Sequence, residues 1–317
     1  MPDQLPQLAE RVLLGRYRLV RLIAQGGMAE VWEGHDQILA RPVAVKVLHG
    51  HLADDAAFVE RFRREAVAAA GLVHPGIVST YDTGSDEGVA FIVMELVRGA
   101  TLRQTISDSA PLPAAVAVPI AAEVADALDY AHRAGLVHRD VKPANILVTE
   151  HAGATAPLLA VKVADFGIAK LDQEPPGQAL TEPGAVVGTA TYLSPEQVEG
   201  SPADARTDEY ALGVVLYEML CGAPPFQAET DLATALHHLR TPAPPLRQHQ
   251  GGISPALEAV VLKALAKDPD ERYPSLAAMR DALLAVDASL DGADGGPVDD
   301  AVPLVVRHAT PPAGVPP

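Results

Sequence analysis

Hydrophobic periodicity changes once along this chain, and the change limits the folds open to it. From Tyr17 the apolar residues recur every second position, and Tyr17-Arg18-Leu19-Val20-Arg21-Leu22-Ile23 predicts a strand. It runs into a turn, Gln25-Gly26-Gly27-Met28, and two further strands follow over Glu30–Gly34 and Pro42–Leu48. A glycine turn between two strands differs from the strand–turn–helix of a dinucleotide-binding fold. Ala56–Ala70 then reads as a helix, with Phe58, Phe62 and Val67 interleaved with Arg61, Arg63, Arg64 and Glu65. Two more strand runs, Gly76–Asp82 and Val89–Leu96, close a β-rich first lobe near Arg98-Gly99.

Beyond that point the helical period dominates. Ala114–Arg133 places Val116, Ile120, Val124, Leu128 and Ala131 on one face, with Gly135 as a stop. Val137–Val148 and Leu158–Gly167 read as short strands around polar loops, separated by the small-residue insertion His151–Pro157. Ala211–Leu220 is apolar nearly all round and predicts a buried helix, and Leu257–Ala266 and Leu276–Leu284 predict amphipathic ones. The expected class is α+β: a small β-rich N-lobe with one main helix (17–97), and a larger helical C-lobe (98–284). Residues 1–16 are expected to be a loosely held extension, and 285–317 an acidic, Pro-rich disordered tail.

Charge and cysteine usage narrow the partners. With 24 basic against 41 acidic residues the net charge is −17, which disfavours nucleic acid and anionic membrane surfaces. The best candidate for a bilayer span, Ala211–Phe226, is interrupted by Glu218, Gly222, Pro224 and Pro225. Met1-Pro2-Asp3-Gln4 lacks the basic start of a signal peptide, and the single Cys221 excludes an internal disulfide framework. Cys221 itself reads as a small hydrophobe. A soluble, cytoplasmic protein is the expectation.

Five elements in fixed order carry the chemistry. Gly26-Gly27 alone would serve any strand turn. After it come Val43-Ala44-Val45-Lys46 on the third strand, Glu65 in the helix, His138-Arg139-Asp140-Val141-Lys142-Pro143-Ala144-Asn145, and Asp165-Phe166-Gly167. Lys46 stands in an apolar run where a lone ammonium would be costly. This ordered set resembles the signature of bacterial eukaryotic-like (Hanks-type) Ser/Thr protein kinases. The Gly-Gly-Met-Ala-Glu-Val wording and Phe62-Arg63-Arg64-Glu65-Ala66 are similar to the kinase domains of actinobacterial receptor-type members. Gly188-Thr189-Ala190-Thr191-Tyr192-Leu193-Ser194-Pro195-Glu196, Asp208 and Arg272 add further landmarks, so that the resemblance covers residues 17–284.

The resemblance implies the bilobal protein-kinase fold and transfer of the ATP γ-phosphoryl group to protein serine or threonine hydroxyls. It implies catalytic roles for Asp140 (proton acceptor), Lys142 (stabilising the transferred group), Lys46 (α- and β-phosphates) and Glu65 (holding Lys46). Asn145 and Asp165 would supply hard oxygen ligands to Mg²⁺, or to Mn²⁺ in its place. The nucleotide would lie under Ile23, Ala24, Gln25, Gly26, Gly27 and Met28. Ile23, Val31, Ala44 and Leu147 would sandwich its base, although plain core packing explains these apolar residues equally well. Met94 would stand at the back of the pocket, and Glu95 and Val97 would offer hinge backbone hydrogen bonds. His138, Phe166 and Asp208 would organise the site from within, and Glu196 with Arg272 would form a buried ion pair.

Two departures stand out. Ala24 and Ala29 replace the first and third glycines of the family's loop, and Ser194 replaces alanine before Pro195-Glu196. Without a membrane span, this polypeptide is expected to lack the extracellular sensor of the receptor-type relatives. A pseudokinase scaffold would be marked by loss of Lys46, Asp140, Asn145 or Asp165, and all four are present. A small-molecule phosphotransferase of the antibiotic-kinase type would normally lack the Pro-Glu landmark and the Asp208 helix. In kinases that this chain resembles, the arginine before the catalytic aspartate, here Arg139, awaits a phosphate; the resemblance thus implies regulation within Ile168–Glu196, with Thr181 as the expected acceptor and a homodimer for trans-autophosphorylation.

Overall fold

The computed structural model describes residues 8–53, 55–150, 159–166, 190–248, 250 and 252–293. The N-lobe is a six-stranded antiparallel sheet in the order β1-β2-β3-β4-β6-β5. Its strands are β1 (Val12–Leu13), β2 (Tyr17–Gln25), β3 (Ala29–Asp36), β4 (Arg41–Leu48), β5 (Thr80–Asp86) and β6 (Val89–Met94). Between β4 and β5 lie α1 (Gly50–Ala53) and α2 (Ala56–Ala70). The period of two divides β4 between two cores. Val43, Val45 and Val47 pack with Trp32, Phe91 and Val93 on one face, and Leu48 packs with Phe62 and Ala66 of α2 on the other. Lys46 therefore emerges on the α2 side. Asp55 caps α2 by accepting from the Ala57 N–H at 2.8 Å, which explains why the helix begins where its apolar spacing does.

The amino-terminal stretch departs from expectation. Residues 8–16 are docked, because Leu13 is fully buried and β1 pairs with β2, Val12 opposite Arg18 and Leu13 opposite Tyr17. Arg16 adds a bidentate pair to the buried Asp36 at 2.9 and 2.7 Å. The run expected as a strand over Gly76–Asp82 is one only from Thr80 onward. Its first part is captured by a neighbour: Val78 N–H donates to Val163 O at 2.9 Å and Val163 N–H to Gly76 O at 2.8 Å.

The C-lobe opens with β7 (Ala100–Thr101), α3 (Leu102–Ser109) and α4 (Ala114–Arg133), followed by β8 (Ile146–Glu150) and β9 (Leu159–Val163). β7, β8 and β9 form a three-stranded sheet under the lobe junction. Gly99 lies so close to it that a Cβ there would stand 2.2 Å from Val148 O. Of the strand expected over Val137–Val148, only the end from Ile146 is extended in a ladder. The preceding residues form a loop and a single 3₁₀ turn, Pro143–Asn145, because their backbone groups bond to Asp208, His138 and Lys142 instead.

A turn at Ala190–Tyr192 leads to α5 (Pro195–Glu199), α6 (Ala205–Cys221), α7 (Asp231–Arg240), α8 (Pro255–Ala264) and α9 (Leu276–Ala293). α6 is buried from Thr207 to Leu220, longer than its apolar run, because its polar first turn is paired inside the lobe. α9 continues to Ala293, past the end expected at Leu284 and into the stretch expected to be disordered; extending an existing helix needs no new nucleus. Residues 294–317 lie outside the described residues, and among the described residues no helix is long and apolar enough to cross a membrane.

One buried group in α6 is costly. Glu209 is 1 % exposed; its Oε1 accepts the Tyr273 N–H at 2.7 Å, and its Oε2 has no hydrogen-bond partner among the described residues. Burial pushes this carboxyl up to about 7, against the pull of Tyr273 and Arg272. The folded protein thus holds a proton that the unfolded chain releases near 4.5, so stability drains away as pH rises from 4.5 through 7. Glu209→Gln is expected to raise stability above pH 7 by about 2–3 kcal/mol. In urea melts at several pH values, the gap should close below the unfolded carboxyl pKa. A constant gap across pH would contradict the assignment.

Candidate active site

Two clusters meet beneath the lobe junction. In the first, β4 presents Lys46 and α2 presents Glu65, and Lys46 Nζ lies 3.0 Å from Glu65 Oε1 and 3.0 Å from Asp165 Oδ1. Lys46 and Glu65 are each 6 % exposed. Burial pushes the lysine down, but the adjoining Asp165 and Glu65 carboxylates outweigh it and hold the ammonium above its ordinary value. Asp165 sits just past β9 at φ 57°, a left-handed conformation that turns the chain sharply at the strand's end.

The second cluster is the loop after α4. Asp208 of α6 accepts the N–H groups of His138 and Arg139, each at 2.7 Å, and His132 Nε2 approaches the same carboxylate at 2.7 Å. Arg139 is thereby held at φ 64°. The Asp140 N–H donates to His138 Nδ1 at 3.2 Å, so Nε2 carries the ring proton and donates to Ala164 O at 3.0 Å. The His138 ring packs 4.7 Å from Phe166. Lys142 Nζ lies 2.7 Å from Asp140 Oδ2, and Asn145 Nδ2 donates to Asp140 O at 2.9 Å and to Oδ2 at 3.2 Å. Asn145 O accepts from Ala164 N–H at 2.8 Å, so His138 and Asn145 both bind the residue next to Asp165. The expected set Lys46, Glu65, Asp140, Lys142, Asn145 and Asp165 is thus one bonded assembly.

The donor set suits a hard divalent cation. The Asn145 amide nitrogen is engaged with Asp140, leaving its oxygen for a ligand, and Asp165 brings a carboxylate whose side chain is 36 % exposed. Among the described residues no group of three His, Cys, Asp or Glu could hold an ion unaided, so phosphate oxygens would have to complete the shell.

The expected nucleotide pocket is drawn from both lobes. Ala44 pairs with Met94 and Val31 with Lys46 and Ala24 across the sheet, while Leu147 is on β8. Ile23, at 43 % exposure, is an open apolar surface on β2. Glu95 N–H is already used by Ser79 O at 2.9 Å, leaving its carbonyl for a ligand, and Val97 follows in the same linker. In the glycine turn, Gln25 ends β2 and pairs with Glu30, Gly26 N–H donates to Ala29 O at 2.9 Å, and Gly27 and Met28 complete the reversal. His49 Nε2 meets Gly26 O at 2.8 Å. Ala29 is buried among Leu48, Phe62 and Ala66, so its methyl fills the core under α2. Behind Met94 a cavity opens onto Lys46, Glu65, Thr80, Asp165 and Phe166.

Some functional contacts were invisible in the sequence. His132 as third partner of Asp208 has no motif, and neither has Arg103, which binds Glu218 at 2.7 Å and the Tyr192 hydroxyl. Arg139 carries a buried Nε without a partner among the described residues. Gly167, Thr181, Gly188 and Thr189 lie outside the described residues.

Comparison with known proteins agrees with this geometry. The profile described as the protein kinase domain matches residues 17–284. The serine/threonine-protein kinase PknB of Mycolicibacterium smegmatis is 48% identical over 279 residues, 86% of this chain and 43% of the relative. The probable serine/threonine-protein kinase SCO3848 of Streptomyces coelicolor is 45% identical over 89% of this chain and 41% of its own. This chain therefore spans less than half the length of these curated relatives. Among solved structures, the PknI kinase domain of Mycobacterium tuberculosis superposes with a TM-score of 0.68 at 32% identity, covering 87% of this chain and 98% of that one. A sheet lobe over a helical lobe, with the lysine, two aspartates and asparagine joined at their junction, places this chain in the protein kinase domain family.

Proposed function

We propose that this protein is an ATP-dependent, non-specific Ser/Thr protein kinase that transfers the γ-phosphoryl group of ATP to serine and threonine hydroxyls of proteins. The observation that carries the reading is the Lys46 ammonium held 3.0 Å from both Glu65 and Asp165. Such a placed cation neutralises phosphate charge without reorganising during the reaction. Asp140, pointed by Lys142 and Asn145, accepts the proton of the attacking hydroxyl, and Lys142 stabilises the transferred group. Asn145 and Asp165 would hold Mg²⁺, or Mn²⁺ in its place, and the bound ion would neutralise the phosphates. Ile23, Val31, Ala44 and Leu147 enclose the base, Met94 backs it, and the Glu95 carbonyl and Val97 backbone read its edge.

We further propose that the protein is cytoplasmic and activates through a homodimer that phosphorylates Thr181 in trans. The buried Nε of Arg139, without a partner among the described residues, supports an incoming anion there. Incubation with radiolabelled ATP, Mg²⁺ or Mn²⁺ and a basic protein, followed by phosphoamino-acid analysis, tests the activity. Label on tyrosine alone, or none at all, would overturn it. Mass spectrometry of active enzyme beside Thr181→Ala tests the switch, which an unmodified Thr181 with unchanged activity would remove.

Ala24 gives a smaller expected effect. It sits on β2 opposite Val31 beside a bulge. Ala24→Gly should leave the fold intact and shift the KM for ATP by about two- to threefold, since glycine frees the turn to close over phosphates. Turnover that appeared only in the variant would indicate a pseudokinase.

A further inference from the structure

Helix α7 ends against a lysine that the phosphoryl-transfer chemistry does not use. The residue four beyond His238 is Pro242, which has no N–H, so the His238 carbonyl lacks the donor that would continue the helical ladder. Lys267, just past α8, takes its place: Nζ donates to His238 O at 2.7 Å and to the Tyr210 hydroxyl at 3.2 Å. The ammonium also lies over two aromatic rings, 4.3 Å from the centroid of Phe226 and 5.5 Å from that of Tyr210. His238 is fully buried, with Nδ1 3.0 Å from the same Tyr210 hydroxyl and its ring edge-on to Phe226. A cation at a helix C-terminus is favoured by the helix dipole as well.

The other end of this packing faces the substrate side. One turn before His238, Ala235 is fully buried and packs with Ala190 and Leu193, on either side of Thr191-Tyr192. Lys267, α7 and the Ala190–Leu193 segment are therefore continuous, and a shift of the helix is passed directly to that segment. We propose that Lys267 is a positioning residue for protein-substrate binding, closing the end of α7 in place of the N–H that Pro242 lacks and so holding α7 against the Ala190–Leu193 segment. This rests on the kinase reading, in which that segment lines the substrate surface. Burial, with Arg272 nearby, lowers the lysine to about 8, which leaves the ammonium its main form at neutral pH.

The test compares Lys267→Met, which keeps the apolar stem but loses every donor, with Lys267→Gln and Lys267→Arg. Amide hydrogen exchange over 231–241 and 190–193 is measured beside KM for a protein substrate, KM for ATP and kcat. A charge-assisted hydrogen bond of this kind supports an expected rise of about five- to tenfold in protein KM for the methionine variant. Exchange in the last turn of α7 should quicken, while kcat and the KM for ATP stay within about twofold of the parent. Lys267→Arg should recover most of the loss, and Lys267→Gln, an uncharged amide donor, should fall between. Wild-type exchange in the methionine variant, or a loss of kcat at unchanged protein KM, would overturn the proposal. Should the methionine variant fail to fold, the glutamine and arginine variants carry the same comparison. A parent enzyme without turnover would sink the kinase reading, yet exchange would still decide whether Lys267 holds α7.

Discussion

Asp140→Asn is expected to abolish phosphoryl transfer, with kcat falling more than about a hundredfold and thermal stability staying close to the parent's. The substitution preserves shape: the Asp140 N–H keeps its bond to His138 Nδ1, and the Asp140 carbonyl keeps Asn145 Nδ2. It removes the basic oxygen, the one Lys142 and Asn145 approach at 2.7 and 3.2 Å. An amide cannot take the hydroxyl proton, and it leaves Lys142 without its counter-charge. Lys46→Met and Asp165→Asn should also silence the enzyme. The former carries an added stability penalty, because Glu65, 6 % exposed, loses the cation that compensates its burial. Autophosphorylation measured with radiolabelled ATP decides the matter. Near-normal labelling by Asp140→Asn would remove this residue from the chemistry.

How far the sequence could be read depends on where each residue's partners lie. α2 and α4 were legible to their first and last residues, because local signals set both and their apolar faces repeat at helical spacing. Lys46 was legible for a related reason: an ammonium in an apolar strand needs a buried anion. The length of α6 was not, since Thr207 and Glu209 look like surface until Glu196 and Tyr273 are brought to them from remote positions. β1 was missed because two residues suffice for its pairing, and nothing short-range announces a strand that small. α7 escaped because its histidines and following prolines resemble a loop, while the lysine that ends it arrives from beyond α8. The glycine turn held one role that its sequence did not show. Ala29 looks like a loop substitution but serves as a core residue beneath α2.

The ion pair between Glu196 and Arg272 supports the second large expected effect, a loss of about 3–5 kcal/mol in Arg272→Ala. Arg272 is 4 % exposed and meets Glu196 with both terminal nitrogens, Nη1 to Oε1 and Nη2 to Oε2, each at 2.9 Å. Its remaining hydrogens are also spent: Nε on Ala266 O at 2.9 Å, Nη1 on Arg206 O at 2.8 Å and Nη2 on Lys267 O at 3.2 Å. Burial pushes the Glu196 carboxyl up, but Arg272 and the Thr207 hydroxyl at 2.9 Å outweigh it and hold the group below its ordinary value. Truncation at Arg272 would strand that carboxylate and three carbonyls inside the lobe. Relative to a typical stability of about 5–15 kcal/mol, this is a large share. The conservative substitution Arg272→Lys should recover only part of it, because an ammonium cannot reproduce the fork that engages both carboxylate oxygens. The sign against pH follows from the lowered Glu196 carboxyl. Its contribution is present above the unfolded carboxyl pKa and is lost as pH falls through the folded one, so the gap between parent and Arg272→Ala should narrow in acid. Urea midpoints at neutral and acidic pH measure both quantities. An Arg272→Ala protein as stable as its parent at pH 7 would show that the pair is a surface ornament of the fold and not the tie between α5 and the segment after α8.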